Sequence, residues 1–160
     1  MTTNSEDKAL REFKLIMSDL LQLLVKASGA KTGYMYWVNR SRRQFVLESS
    51  HTEMQNVMFK DRIEFEDFFL DQYRNSKRDV NLIVGESIDS ARLRHYYEKP
   101  EVEYLRLIPF QNNGETVAIT VLESDRKLNG IDLDDVIKSY NRAHINVRNT
   151  YLKLTDMFED

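Results

Sequence analysis

The stretch YLRLIPFQNNGETVAITVL, residues 104–122, holds two apolar runs on either side of the dipeptide Asn113-Gly114. Asn-Gly supplies two residues that tolerate positive φ, as a two-residue type I′ turn requires. The two runs are therefore predicted to pair as antiparallel strands. A second hairpin is predicted upstream, because residues 34–38 are aromatic and β-branched and residues 45–47 follow after a polar turn.

Long helices are predicted at both ends of the chain. The first runs from about residue 5 to 28 and ends before Gly29, a residue suited to the C′ position. The second runs from about residue 132 to 158, with Asp132 as its N-cap. Apolar residues recur at steps of three and four in the first helix, at Leu10, Phe13, Met17, Leu20 and Leu24. In the second helix Val136, Tyr140, Val147 and Leu154 keep a seven-residue register.

The region between the hairpins has a weaker pattern. Phe65, Phe68, Phe69 and Tyr73 fall at helical spacing and predict a short helix, and a second short helix is predicted within residues 85–97. The order of elements predicts an α+β fold in which the long terminal helices cover one face of an antiparallel sheet of five or six strands and short helices cover the other. Residues 1–160 are expected to form one domain, with the sheet and short helices at about 33–124.

The terminal helices carry more apolar residues than one sheet face can cover. In the first helix, for example, Leu15, Ile16 and Leu23 extend beyond the seven-residue pattern. We therefore expect a homodimer that joins these helices in a bundle across a two-fold axis. The alternative is that the two helices pack only on each other and on the sheet.

Composition excludes several kinds of protein. The chain has no Cys, so it has no disulfide, thiolate metal site or cysteine nucleophile, and a cytoplasmic location is expected. Its net charge is −3, which gives no overall attraction for nucleic acid, and no apolar run approaches the ~18 residues of a membrane span. No metal site or enzymatic activity is predicted, because His51, His95 and His144 stand apart and no nucleophile or carboxylate pair has a catalytic spacing.

Cationic and aromatic side chains concentrate in the irregular middle region, where binding loops tend to lie. A pocket that excludes water needs a few convergent donors among aromatic walls. Six residues are expected to line such a pocket for a small ligand, anionic if the arginines contact it: Tyr36, Arg92, His95, Tyr96, Tyr97 and Arg106. Arg106 could equally lie on the exposed side of an edge strand.

Several segments resemble the GAF domain, the ligand-binding sensory module of cyclic-nucleotide phosphodiesterases, phytochromes and bacterial signalling proteins. Residues 89–93 (DSARL) are similar to the family's Asp-Pro-Arg-Phe/Leu stretch, and residues 105–110 (LRLIPF) to its strand ending in Val-Pro-Leu/Ile. Residues 113–119 (NGETVAI) are similar to its Asn-Gly hairpin, and residues 145–152 (INVRNTYL) to its closing helix. The resemblance covers about residues 10–154.

This resemblance implies a GAF-like, PAS-related fold and a regulatory or sensory role in signal transduction. It implies a small-molecule pocket between the sheet and the middle region, dimerisation through the terminal helices, and output through a downstream signalling protein or an output domain outside this sequence. Without Cys, a covalent bilin and the family's methionine sulfoxide reductase chemistry are not expected, and the Asn-Lys-Xaa-Phe-Asp-Glu signature of cyclic-nucleotide binders is absent. The alternative is a ligand-free dimerisation or protein-interaction module whose pocket is filled by Phe59, Phe65, Phe68, Phe69 and Tyr73.

Overall fold

Six antiparallel strands form a single sheet at the centre of this computed structural model, which describes residues 4–55, 57–93, 102–128 and 133–156. Their order in space is β3-β2-β1-β6-β5-β4. The strands are β1 (Thr32–Asn39), β2 (Gln44–Thr52), β3 (Arg62–Glu64), β4 (Val80–Ile83), β5 (Tyr104–Asn112) and β6 (Glu115–Ser124). The sheet confirms the prediction of an α+β fold with five or six strands.

The hairpin predicted around Asn113-Gly114 is confirmed. Asn113 has φ 54° and Gly114 has φ 78°, the two positive values that the sequence indicated. β5 and β6 pair antiparallel along their whole length, from Tyr104 opposite Ser124 to Asn112 opposite Glu115. β6 also pairs antiparallel with β1, so the two predicted hairpins lie side by side in the middle of the sheet.

Two long helices lie at the ends of the described chain, α1 (Asn4–Ser28) and α2 (Leu133–Asp156). Their bounds agree closely with the predicted ones. The middle region is more broken than predicted, because Phe68 is extended (φ −125°, ψ 136°) and separates two short 3₁₀ helices, Phe65–Asp67 and Phe69–Tyr73. A third 3₁₀ helix, Ser90–Leu93, lies where the second short helix was predicted.

Strand alternation gives the sheet two different faces. Tyr34, Tyr36 and Phe45 point to the side covered by the three 3₁₀ helices, which we call the aromatic face. Met35 and Leu122 point to the opposite side, which α1 and α2 cover and which we call the helix face. Each face buries its own set of apolar side chains, so two cores flank the sheet.

Gly33 permits the close approach of α1 to β1. A Cβ atom at this position would lie 2.4 Å from the Cγ2 atom of Val25 in α1. That distance is far below van der Waals contact, and a β-branched side chain in a helix has little freedom to turn away. The absence of a side chain at Gly33 therefore sets how closely α1 lies on the sheet.

Candidate functional site

Phenyl and phenol rings fill the centre of the aromatic face. Phe68 lies at the middle of this group, with ring centroids 5.0 Å from Tyr36, 5.3 Å from Phe45 and 5.1 Å from Phe69. Phe65 extends the group through Phe45, at 5.1 Å. Perpendicular and tilted contacts of this kind each contribute about 0.5–1.5 kcal/mol beyond the area they bury. These rings occupy the space between the sheet and the 3₁₀ helices.

A polar cluster lies at one end of the aromatic face, where β1 begins and β6 ends. The Glu123 side chain is 0% exposed, and the Tyr34 hydroxyl donates a 2.6 Å hydrogen bond to its Oε1 atom. The hydroxyls of Thr32 and Thr52 share a 2.8 Å hydrogen bond nearby on the same face. A carboxylate is seldom buried without strong partners, because its desolvation is costly. This cluster is the chemically most specific feature of the aromatic face.

Tyr36 lies beside this cluster and is fully buried. Its hydroxyl donates a 2.8 Å hydrogen bond to the backbone oxygen of Lys60. Burial raises the pKa of Tyr36 well above its usual range, and the charges of Asp61 and Glu123 raise it further. Tyr36 is therefore a neutral hydrogen-bond donor at any physiological pH.

A second candidate site is an apolar groove between α1 and α2 on the outer surface of the domain. It consists of two clefts of about 530 Å³ each. We call the two clefts together the outer groove. One cleft is lined mainly by Ala9, Phe13, Ile16, Val147 and Tyr151, and the other mainly by Leu20, Leu23, Ala27, Val136 and Ala143.

The aromatic pair Phe13–Tyr151 forms the floor of the first cleft, with ring centroids 4.5 Å apart. Leu23 and Ile16 stand at the rims, with 64% and 42% of their surfaces exposed. Exposed apolar side chains of this size along a groove are typical of an interaction surface.

The fold of this chain is similar to the folds of several solved GAF domains. The GAF domain of PixJ from Thermosynechococcus elongatus superposes with a TM-score of 0.70 at 14% identity, over 99% of this chain and 97% of that one. The GAF domain of a phosphoenolpyruvate-protein phosphotransferase (ptsP) from Coxiella burnetii gives a TM-score of 0.66 at 13% identity, over 94% and 98%. The chain has the GAF fold. No family model and no curated protein matches the sequence.

The GAF fold also occurs among enzymes that resemble this chain in structure. The type II free methionine-R-sulfoxide reductase from Thermoplasma acidophilum has a TM-score of 0.62 at 15% identity, over 92% of this chain and 96% of that one. At this level of identity the likeness concerns the fold alone. In the described part of this GAF fold, His, Asp and Glu side chains form no group of three or more that could hold a metal ion, and no described helix has the length and apolar content of a membrane span.

Three of the six predicted pocket residues, Tyr36, Arg92 and Arg106, are described, and the structure does not bring these three together. Tyr36 is on the aromatic face, whereas Arg92 is exposed and donates a 3.3 Å hydrogen bond to Gln72. Arg106 lies opposite Leu122 and so points to the helix face. His95, Tyr96 and Tyr97 lie outside the described residues.

The prediction that Arg106 shares a pocket with Tyr36 is wrong, for a reason of strand alternation. Its neighbours Leu105 and Leu107 take the aromatic face, and a side chain between them must point the other way. Its Nη2 atom donates to Asp79 at 3.0 Å and to Asp134 at 2.8 Å. Arg106 therefore ties the first turn of α2 to the sheet.

The residues that prediction missed on the aromatic face are Glu123 and Tyr34. The sequence contained a sign that Glu123 is buried. Glu123 directly follows the apolar run of residues 117–122, and by strand alternation it lies on the same face as Ile119 and Val121. A carboxylate in register with core positions is expected to be buried.

The residues predicted for dimer contact divide into two sets. Met17 of α1 is fully buried, and Phe13, Leu24 and Tyr140 are also buried within this chain. These four cover the sheet or the floor of the outer groove, because the regular apolar stripes of α1 and α2 pack within this domain. Leu20, Val136 and Val147 are partly exposed and line the outer groove, and Leu10 is exposed. The side chain of Leu154 lies outside the described residues.

His144 is the most unusual titratable group on the helix face. Its ring is fully buried between Phe110, at 4.1 Å, and Trp37, at 5.8 Å. Both ring nitrogens are buried, and neither has a hydrogen-bond partner in the described part of the chain. Burial, together with the charge of Arg148, lowers the pKa of His144 to about 4. The imidazole is therefore neutral at physiological pH.

Proposed function

We propose that this chain is a sensory or regulatory module of signal transduction that works as a homodimer through α1 and α2. The fold supports a regulatory role, because the solved structures it resembles include the GAF domains of a light-absorbing protein and of a phosphotransferase. The output passes to another protein or to a domain outside this sequence. In this scheme the helices carry the state of the domain to its partner.

The single observation that carries the homodimer is the outer groove. Eight large hydrophobic side chains are exposed among the described residues, and six of them lie on α1 or α2. These six are Leu10, Leu15, Ile16, Leu23, Ile145 and Leu152, and two of them, Ile16 and Leu23, line the outer groove. Such a concentration on two antiparallel helices fits the contact of a four-helix bundle, in which each copy presents the same surface to the other.

The first test of the homodimer introduces charged residues at the outer groove. The double variant Ile16→Glu, Leu23→Glu is expected to be monomeric at concentrations where the parent chain is dimeric, with a dissociation constant raised about a hundredfold or more because two carboxylates would lose their hydration in the interface. Both side chains are already exposed, so the fold of each copy is expected to survive. Sedimentation equilibrium measures the mass.

The matched control is the double variant Met58→Glu, Ile83→Glu, which changes two exposed hydrophobic residues outside both helices. It is expected to remain dimeric. A parent chain that sediments as a monomer, or an Ile16/Leu23 variant that keeps the mass of a dimer, would contradict the proposed homodimer.

Small-molecule binding is a second candidate function, and the buried pair Tyr34–Glu123 favours it. A carboxylate and a phenol hydroxyl at the edge of an apolar region are a recognition pair for a molecule that carries a positive charge or hydrogen-bond donors. The aromatic side chains around Phe68 restrict any ligand to this polar end. The same packing supports the ligand-free alternative, in which only the homodimer acts.

Native mass spectrometry of the purified protein distinguishes these alternatives. If a ligand binds at Glu123, the parent chain is expected to carry a discrete extra mass that the Glu123→Gln variant loses. Gln keeps the shape of the side chain and an oxygen that Tyr34 can bond, but it removes the charge. The exposed Glu103→Gln change is the control and is expected to keep the extra mass. If the parent chain carries no extra mass and its melting temperature does not rise when small amines are added, the result favours the ligand-free homodimer.

A further inference from the structure

Three turns meet at the end of the sheet that lies opposite Glu123. They are the β1–β2 turn, the β5–β6 turn and the loop between the second 3₁₀ helix and β4. Arg40 joins them, because its guanidinium donates to the backbone oxygens of Thr116, at 2.7 Å, and Arg74, at 3.1 Å. The Thr116 hydroxyl donates a 2.6 Å hydrogen bond to the backbone oxygen of Ser76. The three turns are thus held in one fixed arrangement.

These turns concentrate positive charge, and we call the cations the basic platform: Arg40, Arg42, Arg43, Arg74, Lys77 and Arg78. Three of them have an acidic partner within the same region. Arg40 pairs with Glu115 at 2.9 Å, Arg43 pairs with Glu66 at 2.9 Å, and Arg74 pairs with Asp71.

The other three cations of the basic platform lie outside these ion pairs. Arg42, Lys77 and Arg78 are exposed, and no carboxylate in the described part of the chain forms an ion pair with any of them. The chain as a whole has a net charge of −3. Counted against their three acidic partners, the six cations of the basic platform leave three positive charges without an ion pair among the described residues, on a chain whose net charge is negative.

A cleft of about 450 Å³ lies in this region and is lined by Arg40, Asn75, Lys77, Gly114, Glu115 and Thr116. We propose that the basic platform docks an acidic segment of a partner protein, with carboxylates of that segment on Arg42, Lys77 and Arg78. This inference is independent of the homodimer and of ligand binding at Glu123, because the platform lies at the other end of the sheet from the polar cluster.

The distribution of charge favours a peptide over a nucleic acid or a membrane. Glu115 and Glu66 are paired with Arg40 and Arg43 of the platform, and they would repel the continuous phosphates of a nucleic acid or an anionic bilayer. An acidic peptide carries discrete carboxylates, so it can place them on the three cations outside the ion pairs and leave the spaces opposite Glu66 and Glu115 to neutral or basic residues. Opposite charges at such a surface speed association and set the orientation of the partner.

The test measures the binding of a fluorescent oligoglutamate peptide by anisotropy at low ionic strength. The parent chain is expected to bind, and the triple variant Arg42→Glu, Lys77→Glu, Arg78→Glu is expected to bind about tenfold more weakly or not at all, with binding that falls as salt is added. The matched control is Lys26→Glu, Lys60→Glu, Lys127→Glu, which makes the same change in net charge at exposed positions away from the platform. The control is expected to keep most of the affinity.

Each remaining outcome overturns the proposal. Equal losses in the two triple variants would show that only net charge matters. Absence of binding by the parent chain at low ionic strength would show that the platform holds no acidic segment. Tighter binding to single-stranded DNA or to phosphatidylserine vesicles than to oligoglutamate would assign the platform to a different kind of partner. Far-UV circular dichroism verifies that each variant is folded.

Discussion

The Phe68→Ala variant is expected to lose about 3–5 kcal/mol of its free energy of unfolding. Phe68 is 1% exposed and contacts the rings of Tyr36, Phe45 and Phe69, so its removal leaves a cavity at the centre of the aromatic face. The neighbouring rings belong to strands and 3₁₀ helices that hold them in place, which limits how far the cavity can close. Urea unfolding followed by circular dichroism measures the loss.

Two further variants show whether the loss comes from the cavity. Phe68→Leu keeps much of the volume and is expected to lose less than Phe68→Ala. Met58→Ala removes a side chain that is 80% exposed and is expected to change the free energy of unfolding by about 0.5 kcal/mol or less. A Phe68→Ala variant as stable as Met58→Ala would show that the aromatic face is not packed as described.

Acidification is expected to destabilise the domain by about 3 kcal/mol between pH 6.5 and pH 4, through His144 alone. Its pKa is about 4 in the folded chain and about 6.5 in an exposed histidine. Between these values the unfolded state binds the proton and the folded state does not. The free energy of unfolding therefore falls as the pH drops below 6.5, and the contribution of this group levels off below pH 4.

The control for this prediction is His144→Phe, which keeps an aromatic ring between Trp37 and Phe110 but cannot be protonated. We expect this variant to be at least as stable as the parent chain near pH 7, because the unpaired ring nitrogens are gone. It is expected to lose less stability on acidification. Trp37 is the single tryptophan and lies 5.8 Å from His144, so its fluorescence reports unfolding at the relevant place. Parallel pH profiles for the two proteins would show that His144 does not cause the loss.

Local pattern was sufficient for the two hairpins and the two long helices of this fold. The Asn113-Gly114 turn and the strands on either side depend on residues a few positions apart, and the structure confirms them with two positive φ values. The bounds of α1 and α2 also follow from local periodicity, and Gly29, with φ 77°, ends α1 as predicted. The predicted N-cap Asp132 lies outside the described residues. The middle region was less predictable, because four aromatic residues at helical spacing gave two 3₁₀ helices separated by an extended Phe68.

The candidate site was predicted less well than the fold. Arg106 was expected in the pocket, yet strand alternation turns it to the helix face, where Asp79 and Asp134 bind it. A sequence gives the alternation of a strand but does not say which parity faces which layer. Glu123 could have been found by the same alternation, once Ile119 and Val121 were known to face the aromatic side.

By itself the sequence determined the helices, the hairpins, the α+β class and the absence of cysteine chemistry, because these depend on near neighbours or on composition. Only the tertiary structure decided what each apolar residue touches. Met17 and Leu24 continue a seven-residue pattern that suits contact with a second copy, but both are buried within this chain, whereas Ile16 and Leu23 beside them are exposed. The sequence shows which residues of a helix are apolar, but not which of them the sheet covers. How α1 and α2 lie on the sheet decides which apolar residues are buried and which stay exposed.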